Sequence, residues 1–372
     1  MFILVFVFCF AVNLNAAAFA DSGKFGVIIG GQGKVPNIIE ILKDLDVSWI
    51  RINNHLDGKG ADISQFLEAG FNVVVTISNR DPKNLDTTYG SAEKFSHGGY
   101  PFKSKPAYQS RIKELLTPLV PYLKKGRRIM AQCENEISDA SLNKKARYWR
   151  GTVDQYLTQL QAFYEAVRSV SPEIPVVLSS FPSEGLNIVM EPNSPRFRLA
   201  NKLYTIMLTK GKYEVVDLHF YGCPEDIPAK VQWVKQHMPS DKRWISTENG
   251  GPDFRCQETP TPYEKDPKRY EGIQAKQVSQ RLSACSDNGA SVCLWFSLID
   301  LGREASVFTH MGLLGIDGLE GELKDEFKEM INKERFGAKG AGELTPQQKG
   351  KFMKALRKKP AYEAFKSFVG KE

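Results

Sequence analysis

The stretch RIMAQCENE, residues 128–136, decides the fold of this chain. It begins as an apolar run that is typical of a buried β-strand and ends in Glu134, Asn135 and Glu136. A second stretch of this kind, RWISTENGG at residues 243–251, places Glu248 at the end of another apolar run. Buried strands with carboxylates at their C-terminal ends are typical of parallel barrels, whose active sites lie where strands run into loops. Glu136 and Glu248 are therefore a candidate pair.

The rest of the chain alternates between strand-like and helix-like segments. The predicted strands cover residues 25–30, 47–54, 71–79, 128–136, 174–180, 215–221, 243–247 and 291–297. The predicted helices cover residues 36–43, 62–69, 108–123, 149–170, 199–208, 227–237 and 272–288, with a terminal helix at about 344–369. Continuously apolar runs are typical of parallel strands that are covered on both faces. The pattern predicts an α/β fold, a single-domain (β/α)8 TIM barrel, rather than an open sheet.

The N-terminus differs from the rest of the chain. Residues 2–12 are almost wholly apolar, and Ala18-Phe19-Ala20 has the small-residue pattern that precedes a signal peptidase cut. We expect a signal peptide at residues 1–20, export to the periplasm or the medium, and a catalytic domain at residues 21–372. The net charge of +7 is modest, and much of the surplus lies in the terminal helix. That charge indicates a solvated face rather than a nucleic-acid site, and we expect a monomer without membrane contact after cleavage.

Six cysteines are present, and Cys9 would leave with the signal peptide. Cys223 and Cys256 follow successive predicted strands, so neighbouring loops could bring them together. Cys133 and Cys293 lie in strand-like runs, where small buried side chains are expected. The spacing of the cysteines is unlike that of a zinc site, and we expect no metal and no cofactor.

Polar and aromatic residues are concentrated at the predicted strand ends, which would converge on one face. Amides offer hydrogen bonds to hydroxyl groups, and aromatic rings offer faces to C–H groups. The set therefore predicts a pocket for a neutral polyhydroxylated ligand such as a sugar. Its members are Gln32, Arg51, Asn53, Asn54, Asn79, Asn135, Glu136, Ser179, Ser180, His219, Tyr221, Glu248 and Trp295. The long connection at residues 80–105 contains Tyr89, His97 and Tyr100, and it predicts either loop packing or a lid over this face.

These strand ends resemble those of the clan A glycoside hydrolases, which are retaining enzymes on a (β/α)8 barrel. The resemblance lies in Asn135-Glu136 on strand four, Glu248 on strand seven, Arg51, the run His219-Phe220-Tyr221, and Trp295. It covers residues 25–316 approximately and looks closest to families 39 and 5. One departure is Ile137, which stands where many members have proline directly after the acid/base.

The resemblance implies a role for each of these residues. Glu248 would be the nucleophile and Glu136 the acid/base, with Arg51 keeping Glu248 ionised. Asn135 would bind the 2-hydroxyl of the sugar, Tyr221 would donate a hydrogen bond to Glu248, and His219 would support the site. Trp295 would form the floor under the sugar. From their positions at strand ends, and not from the resemblance, Asn54 and Asn79 are expected to add substrate contacts. The implied activity is hydrolysis of a β-linked poly- or oligosaccharide, with endo action expected.

Several alternatives stay open at this point. Glu134 competes with Glu136, because residues two apart on a strand face the same way. Arg51 could be a structural ion-pair partner, and His219 and Trp295 could be core residues. A catalytically silent carbohydrate-binding barrel and a transglycosylase are the alternative functions.

Overall fold

The computed structural model describes most of the chain. The described residues are 23–29, 35–58, 62–90, 98–142, 148–253, 256, 262–301, 307–327 and 345–371. The predicted signal peptide, Gln32 and His97 lie outside these ranges.

Eight parallel strands close into a barrel in chain order, with β8 pairing with β1. They are β1 (Phe25–Ile28), β2 (Trp49–His55), β3 (Asn72–Ser78), β4 (Ile129–Cys133), β5 (Val176–Val177), β6 (Val215–Phe220), β7 (Arg243–Asn249) and β8 (Cys293–Trp295). Helices separate the strands, so the predicted single-domain (β/α)8 barrel is confirmed. The strands form because their β-branched, apolar sequences fit a pleated surface that is buried on both faces.

The helices cover the outside of the barrel and continue beyond it. They are α1 (Ile38–Asp44), α2 (Ser64–Glu68), α3 (Lys105–Leu116), α4 (Val120–Lys124), α5 (Val153–Val170), α6 (Ser183–Val189), α7 (Phe197–Lys210), α8 (Ile227–His237), α9 (Pro267–Asp287), α10 (Pro346–Ala355) and α11 (Pro360–Val369). Two connections follow the predictions only in part. Prolines 118 and 121 accompany a break between α3 and α4, and two helices rather than one follow β5. None of the helices in the described ranges is long and apolar enough to cross a membrane.

The barrel interior has an apolar layer below a polar one. The apolar layer contains one or two side chains from each of seven strands or their ends and is fully buried. Its members are Trp49, Val74, Met130, Val177, Val215, Ile245, Val292 and Leu294. Because side chains alternate along a strand, the residues two positions further along face the interior again, nearer the C-terminal face. On β2 to β7 these next residues are polar, and they begin the candidate site.

The C-terminal segment is two helices instead of the single predicted helix. Between α10 and α11, Arg357–Lys358 forms strand β10, which pairs antiparallel with β9 (Leu314–Gly315). Pro360 cannot donate the backbone hydrogen bond that a continuous helix needs, so α11 begins there anew. Lys359 is buried at this break, and its ammonium group donates to the Asp300 carboxylate over 2.7 Å. This ion pair fastens the C-terminal segment to the loop that follows β8.

The predicted proximity of Cys223 and Cys256 is confirmed, because they form a disulfide between the loops after β6 and β7. Cys133 and Cys293 are buried free thiols, as predicted, and Cys285 is a third.

Candidate active site

A chain of hydrogen bonds between buried polar side chains crosses the barrel interior above the apolar layer. Arg51 Nε donates to Thr76 Oγ1 over 2.8 Å, and Thr76 donates to Gln132 Oε1 over 2.6 Å. Gln132 Nε2 then donates to Asp217 Oδ2 over 2.7 Å, and Thr247 Oγ1 donates to the same oxygen over 2.6 Å. Five strands are linked in this way. A network whose members are all satisfied holds the functional groups above it in fixed positions.

A bulge in β7 directs Glu248 into the barrel. Asp217 on β6 pairs with Ile245, but His219, two residues later, pairs with Glu248, three residues after Ile245. The extra residue breaks the alternation of side chains, so Thr247 and Glu248 both make contacts inside the barrel. Strict alternation would have placed Glu248 on the outer face.

Two donors fix the Glu248 carboxylate. Arg51 Nη1 lies 2.6 Å from Glu248 Oε1, and the Tyr221 hydroxyl donates to Glu248 Oε2 over 2.6 Å. The Arg51 side chain is 1% exposed and the Glu248 side chain 15%. Both of the contacts expected for Glu248 are therefore present. Charge-assisted bonds of this length stabilise the ionised carboxylate and set its orientation.

Glu136 lies in the turn that follows β4. Its backbone has a φ of 44°, a left-handed conformation that residues other than glycine rarely adopt. The backbone N–H of Glu136 donates to Ser180 Oγ over 3.3 Å, and Glu136 Oε1 lies 2.7 Å from His219 Nδ1. The Glu136 side chain is 16% exposed, so it is oriented by neighbours while still reaching the open face of the barrel.

His219 is the cation between the carboxylates. Burial on its own lowers the pKa of a histidine, but the charges of Glu248 and Asp217 and the hydrogen bonds to Asp217 and Glu136 raise the pKa of His219 to about 10. Burial also disfavours the charged form of Asp217, which on its own would raise the pKa of Asp217, but His219 and Arg51 lower that pKa. His219 is therefore doubly protonated at neutral pH, paired with an ionised Asp217 below it.

One ligand-type atom each of Glu136, His219 and Glu248 lies within 4.8 Å of the other two. Such a group is close enough to hold a cation. A metal ion would have to displace a proton from the His219 ring, whose pKa is raised to about 10 by the surrounding carboxylates. Two carboxyl groups this close together can also divide a reaction between them, one transferring a proton and the other acting as nucleophile.

Asn135 is fixed through its carbonyl oxygen. That oxygen accepts hydrogen bonds from Arg51 Nη2 over 2.6 Å and from Ser180 Oγ over 2.7 Å. An amide has one acceptor end and one donor end, so these bonds set which way Asn135 points. Its NH₂ group is the end that remains to meet a ligand.

Glu134 does not share the orientation of Glu136. Strand β4 ends at Cys133, and Glu134 has a φ of 65°, so the two-residue alternation does not continue. Glu134 is fully buried, and its Oε1 accepts hydrogen bonds from the Asn79 backbone N–H over 2.8 Å and from Gln159 Nε2 over 2.7 Å. Burial raises the pKa of Glu134 to about 8. Glu134 joins the loop after β3 to helix α5 and lies behind the site.

Three of the predicted substrate contacts are corrected by the structure. Trp295 is fully buried in the core between barrel and helices, and its indole N–H donates to the Met311 carbonyl over 2.9 Å. It follows Leu294, which faces the barrel interior, so alternation turns Trp295 outward. Asn54 lies three residues after the inward-facing Arg51 on β2, so alternation turns it outward as well. Its Oδ1 accepts a hydrogen bond from the His55 backbone N–H over 3.0 Å.

Asn79 is the third correction. It is fully buried and donates to the carbonyls of Asn84 over 3.3 Å and Tyr100 over 2.9 Å. Asn79 therefore holds the described part of the 80–105 loop against the barrel. Tyr100 is fully buried in that loop, which fits loop packing rather than a ligand contact.

Residues that sequence reasoning missed form an aromatic wall beside Glu248. Tyr221 makes edge contacts with Phe296, at a ring-centre distance of 5.8 Å, and with Phe308, at 4.8 Å. Phe296 directly follows Trp295, so strand alternation directs it to the opposite face of the sheet, toward the barrel interior. Alternation was therefore a signal that could have found it. Phe308 lies in the loop after β8, where the sequence offers no periodicity to place it.

No protein-family model and no curated protein sequence matches the chain. Among solved structures, it is similar to a glucosidase from Croceicoccus marinus, with a TM-score of 0.53 and 15% identity over 84% of this chain and 67% of that one. SrfJ from Salmonella typhimurium gives 0.52 and 12% identity over 93% and 74%. A beta-glucosidase from Thermotoga maritima gives 0.51 and 13% identity over 85% and 98%.

The chain shares the barrel fold of these proteins, two of which are glucosidases. Identities of this size establish the fold, and a barrel of this kind hosts many reactions. The reaction depends on the groups at the mouth of the barrel, above all Glu136 and Glu248.

Proposed function

We propose that the protein is a retaining β-glycosidase in which Glu248 is the nucleophile and Glu136 is the acid/base. The observation that carries the proposal is the approach of a Glu136 oxygen to within 4.8 Å of a Glu248 oxygen, with His219 between them. Retaining glycosidases hold their two carboxyl groups about 5–5.5 Å apart, whereas inverting enzymes need about 6.5–9.5 Å to admit a water molecule. The short separation supports double displacement.

The contacts of the two carboxyl groups support this division of roles. Glu248 receives bonds from both Arg51 and Tyr221, as a nucleophile that must stay ionised and oriented requires. His219 Nδ1 meets one oxygen of Glu136, which leaves the other oxygen to exchange a proton with the substrate.

The reaction has two steps. Glu136 gives its proton to the glycosidic oxygen while a Glu248 oxygen forms a bond to the anomeric carbon, and the bond to the leaving group breaks. Once the sugar is bonded to Glu248, the negative charge of Glu248 no longer opposes a negative charge on Glu136, so Glu136 remains a carboxylate that can accept a proton. Glu136 takes a proton from water, the water oxygen bonds to the anomeric carbon, and Glu248 leaves as a carboxylate. The released sugar keeps its anomeric configuration.

The remaining groups would bind and orient the sugar. The NH₂ group of Asn135 is directed to donate to a sugar hydroxyl, which we assign to the 2-hydroxyl, because the carbonyl oxygen is used by Arg51 and Ser180. Such a bond strengthens as the transition state forms. Phe296 and Phe308 would offer apolar surface to the C–H groups of the sugar beside Tyr221.

We further propose that the protein is exported as a monomer and cleaves a β-glycosidic bond. The Cys223–Cys256 disulfide supports export, since such bonds persist in oxidising compartments. Endo action on a poly- or oligosaccharide stays a prediction from the sequence. Transglycosylation would pass through the same intermediate, and analysis of products at high acceptor concentration distinguishes it from hydrolysis.

The experiment that tests the proposal compares Glu136→Ala and Glu248→Ala on a panel of activated aryl β-glycosides. Both variants should lose most activity, and azide should restore turnover in each. The Glu136→Ala variant should yield the β-glycosyl azide and the Glu248→Ala variant the α-glycosyl azide, because azide replaces water in one case and the nucleophile in the other. Wild-type activity in either variant would contradict the assignment.

A further inference from the structure

A cavity of about 590 Å³ opens on one side of Glu136. Glu136 and Tyr221 line it, whereas Glu248 is not part of its lining. Helices α6 and α7 and the turn after β4 supply most of its wall. The cavity is therefore bounded by the acid/base and not by the nucleophile. Its size is within the range of about 300–1,000 Å³ that is usual for sites of small ligands.

The wall of this cavity has both aliphatic and aromatic side chains. The aliphatic ones include Leu142, Ile188, Leu199 and Leu203, and the aromatic ones are Tyr148, Tyr204, Tyr221 and Phe308. Leu142 is 62% exposed and Leu199 is 41% exposed, and these are two of the three exposed large hydrophobic residues within the described ranges. Single exposed leucines are ordinary, but a cluster of them on one cavity marks a binding surface for apolar groups.

Several polar residues of the wall already have partners. Ser183 Oγ donates to the Tyr221 carbonyl over 2.9 Å and accepts the Tyr221 backbone N–H over 3.1 Å. Asp139 accepts bonds from Ser141 and from the Val153 backbone, and Glu184 pairs with Arg196 over 2.9 Å.

None of the described residues that line the cavity is asparagine or glutamine, and the side chains of Ser183, Asp139 and Glu184 already have partners. Bound sugars rely on amides and carboxylates to meet their hydroxyl groups. The aliphatic and aromatic side chains of this wall offer apolar surface instead, which suits an alkyl or aryl group.

We propose that this cavity binds the leaving group of the substrate and that the leaving group is an apolar aglycone, either alkyl or aryl. The inference rests on the proposed function, since the group that Glu136 protonates must depart on the Glu136 side. The expected substrate then changes from a poly- or oligosaccharide, whose leaving group is a sugar, to a glycoside with a sugar at one end and a hydrocarbon at the other.

The test begins with the β-fluorides of glucose, galactose, mannose and xylose. Fluoride occupies no aglycone site, so its Glu248-dependent release measures the proposed function by itself. The sugar that is hydrolysed fastest then defines a series of n-alkyl β-glycosides from butyl to octyl, a naphthyl β-glycoside, and the β-linked disaccharide of that sugar. The intrinsic reactivity of the leaving group is nearly constant from butyl to octyl, so a change in kcat/KM along the series reports apolar binding.

We expect kcat/KM to rise about threefold for each added methylene, and the octyl glycoside to be cleaved at least tenfold faster than the disaccharide. Leu142→Gln and Leu199→Gln should each reduce the rise in kcat/KM per methylene. For this comparison, kcat/KM for each alkyl glycoside is divided by kcat/KM for the glycosyl fluoride with the same variant. Both leucines are exposed, so neither substitution leaves a cavity in the hydrophobic core. Met190→Gln is the matched control, because Met190 is 39% exposed but does not line the cavity, and it should keep the wild-type rise.

Three outcomes count against the inference. If fluoride is released but the alkyl series is flat and the disaccharide is preferred, the cavity binds a sugar and the inference alone fails. An equal loss in Met190→Gln and the two leucine variants would remove the cavity as the cause. Without fluoride release from any of the four sugars, the proposed function fails and the inference fails with it. Preference for the naphthyl glycoside over the octyl glycoside would identify an aryl aglycone, and the reverse preference an alkyl one.

Discussion

Replacing Glu134 with glutamine should change how the stability of the protein depends on pH. In the folded protein, burial raises the pKa of Glu134 to about 8, whereas in the unfolded chain it returns to its ordinary 4.5. The folded state thus binds more protons between these two values, and the free energy of unfolding falls as pH rises from 4.5 to 8. A shift of this size corresponds to about 4–5 kcal/mol. Glutamine has the shape of the protonated carboxyl group and does not ionise.

We therefore expect the difference in unfolding free energy between Glu134→Gln and the wild type to move by about 4 kcal/mol in favour of the variant from pH 5 to pH 8. Urea titrations followed by tryptophan fluorescence at pH 5, 6, 7 and 8 measure it. Glu173→Gln is the control, since Glu173 is exposed, and it should leave the pH profile unchanged. Parallel profiles for the wild type and Glu134→Gln would refute the reasoning.

The same variant decides between the two glutamates of the turn. At pH 6, Glu134→Gln should keep aryl-glycosidase activity within about tenfold of the wild type, because Glu134 lies behind the site. Glu136→Gln should lose at least about a hundredfold, as expected when general acid catalysis is removed. The reverse order of activities would assign the proton donor to Glu134.

Three further predictions concern groups around the site. Tyr221→Phe removes a donor to Glu248 and should lower kcat/KM by about 10–100-fold with a melting temperature near that of the wild type; unchanged kinetics would remove Tyr221 from the site. Lys359→Met leaves Asp300 buried without its cation and should cost about 3–5 kcal/mol in urea unfolding, and a loss under 1 kcal/mol would contradict the pairing. Because the pKa of His219 is raised from 6.5 to about 10, its stabilising contribution is complete below about pH 6.5 and lost as pH rises through about 10. In urea titrations up to pH 11, the wild type should lose stability over that range and His219→Asn should not, and identical profiles would exclude His219 as the cause.

Much of the fold was predictable because parallel strands that are buried on both faces leave an unmistakable pattern of apolar runs. The position of Glu136 and Glu248 at strand ends followed from the same pattern, whereas the contact between Arg51 and Glu248 was implied by the resemblance to clan A glycoside hydrolases. The sequence could not reveal the bulge in β7, since the bulge depends on pairing with β6 and β8. Simple alternation would in fact have excluded Glu248, because Ile245 already faces the interior.

The errors in the substrate contacts have a common physical origin. Trp295 and Asn54 each lie one residue away from an inward-facing position, and a shift of one residue moves a side chain to the opposite face of the sheet. Asn79 was missed as a structural residue because its partners, the carbonyls of Asn84 and Tyr100, belong to a loop without a periodic pattern. Loop positions such as Phe308 depend on tertiary contacts that no local signal encodes.

The central claim is that Glu248 forms a covalent bond with the sugar while Glu136 acts as acid and base. The most direct measurement is incubation with 2-deoxy-2-fluoroglycosides that carry a dinitrophenyl leaving group, followed by mass spectrometry of the intact protein and its peptides. A single fluoroglycosyl group on Glu248, formed in step with loss of activity, is the predicted result. A label on Glu136 or Glu134, or turnover of the corresponding glycoside without any covalent intermediate, would contradict the account.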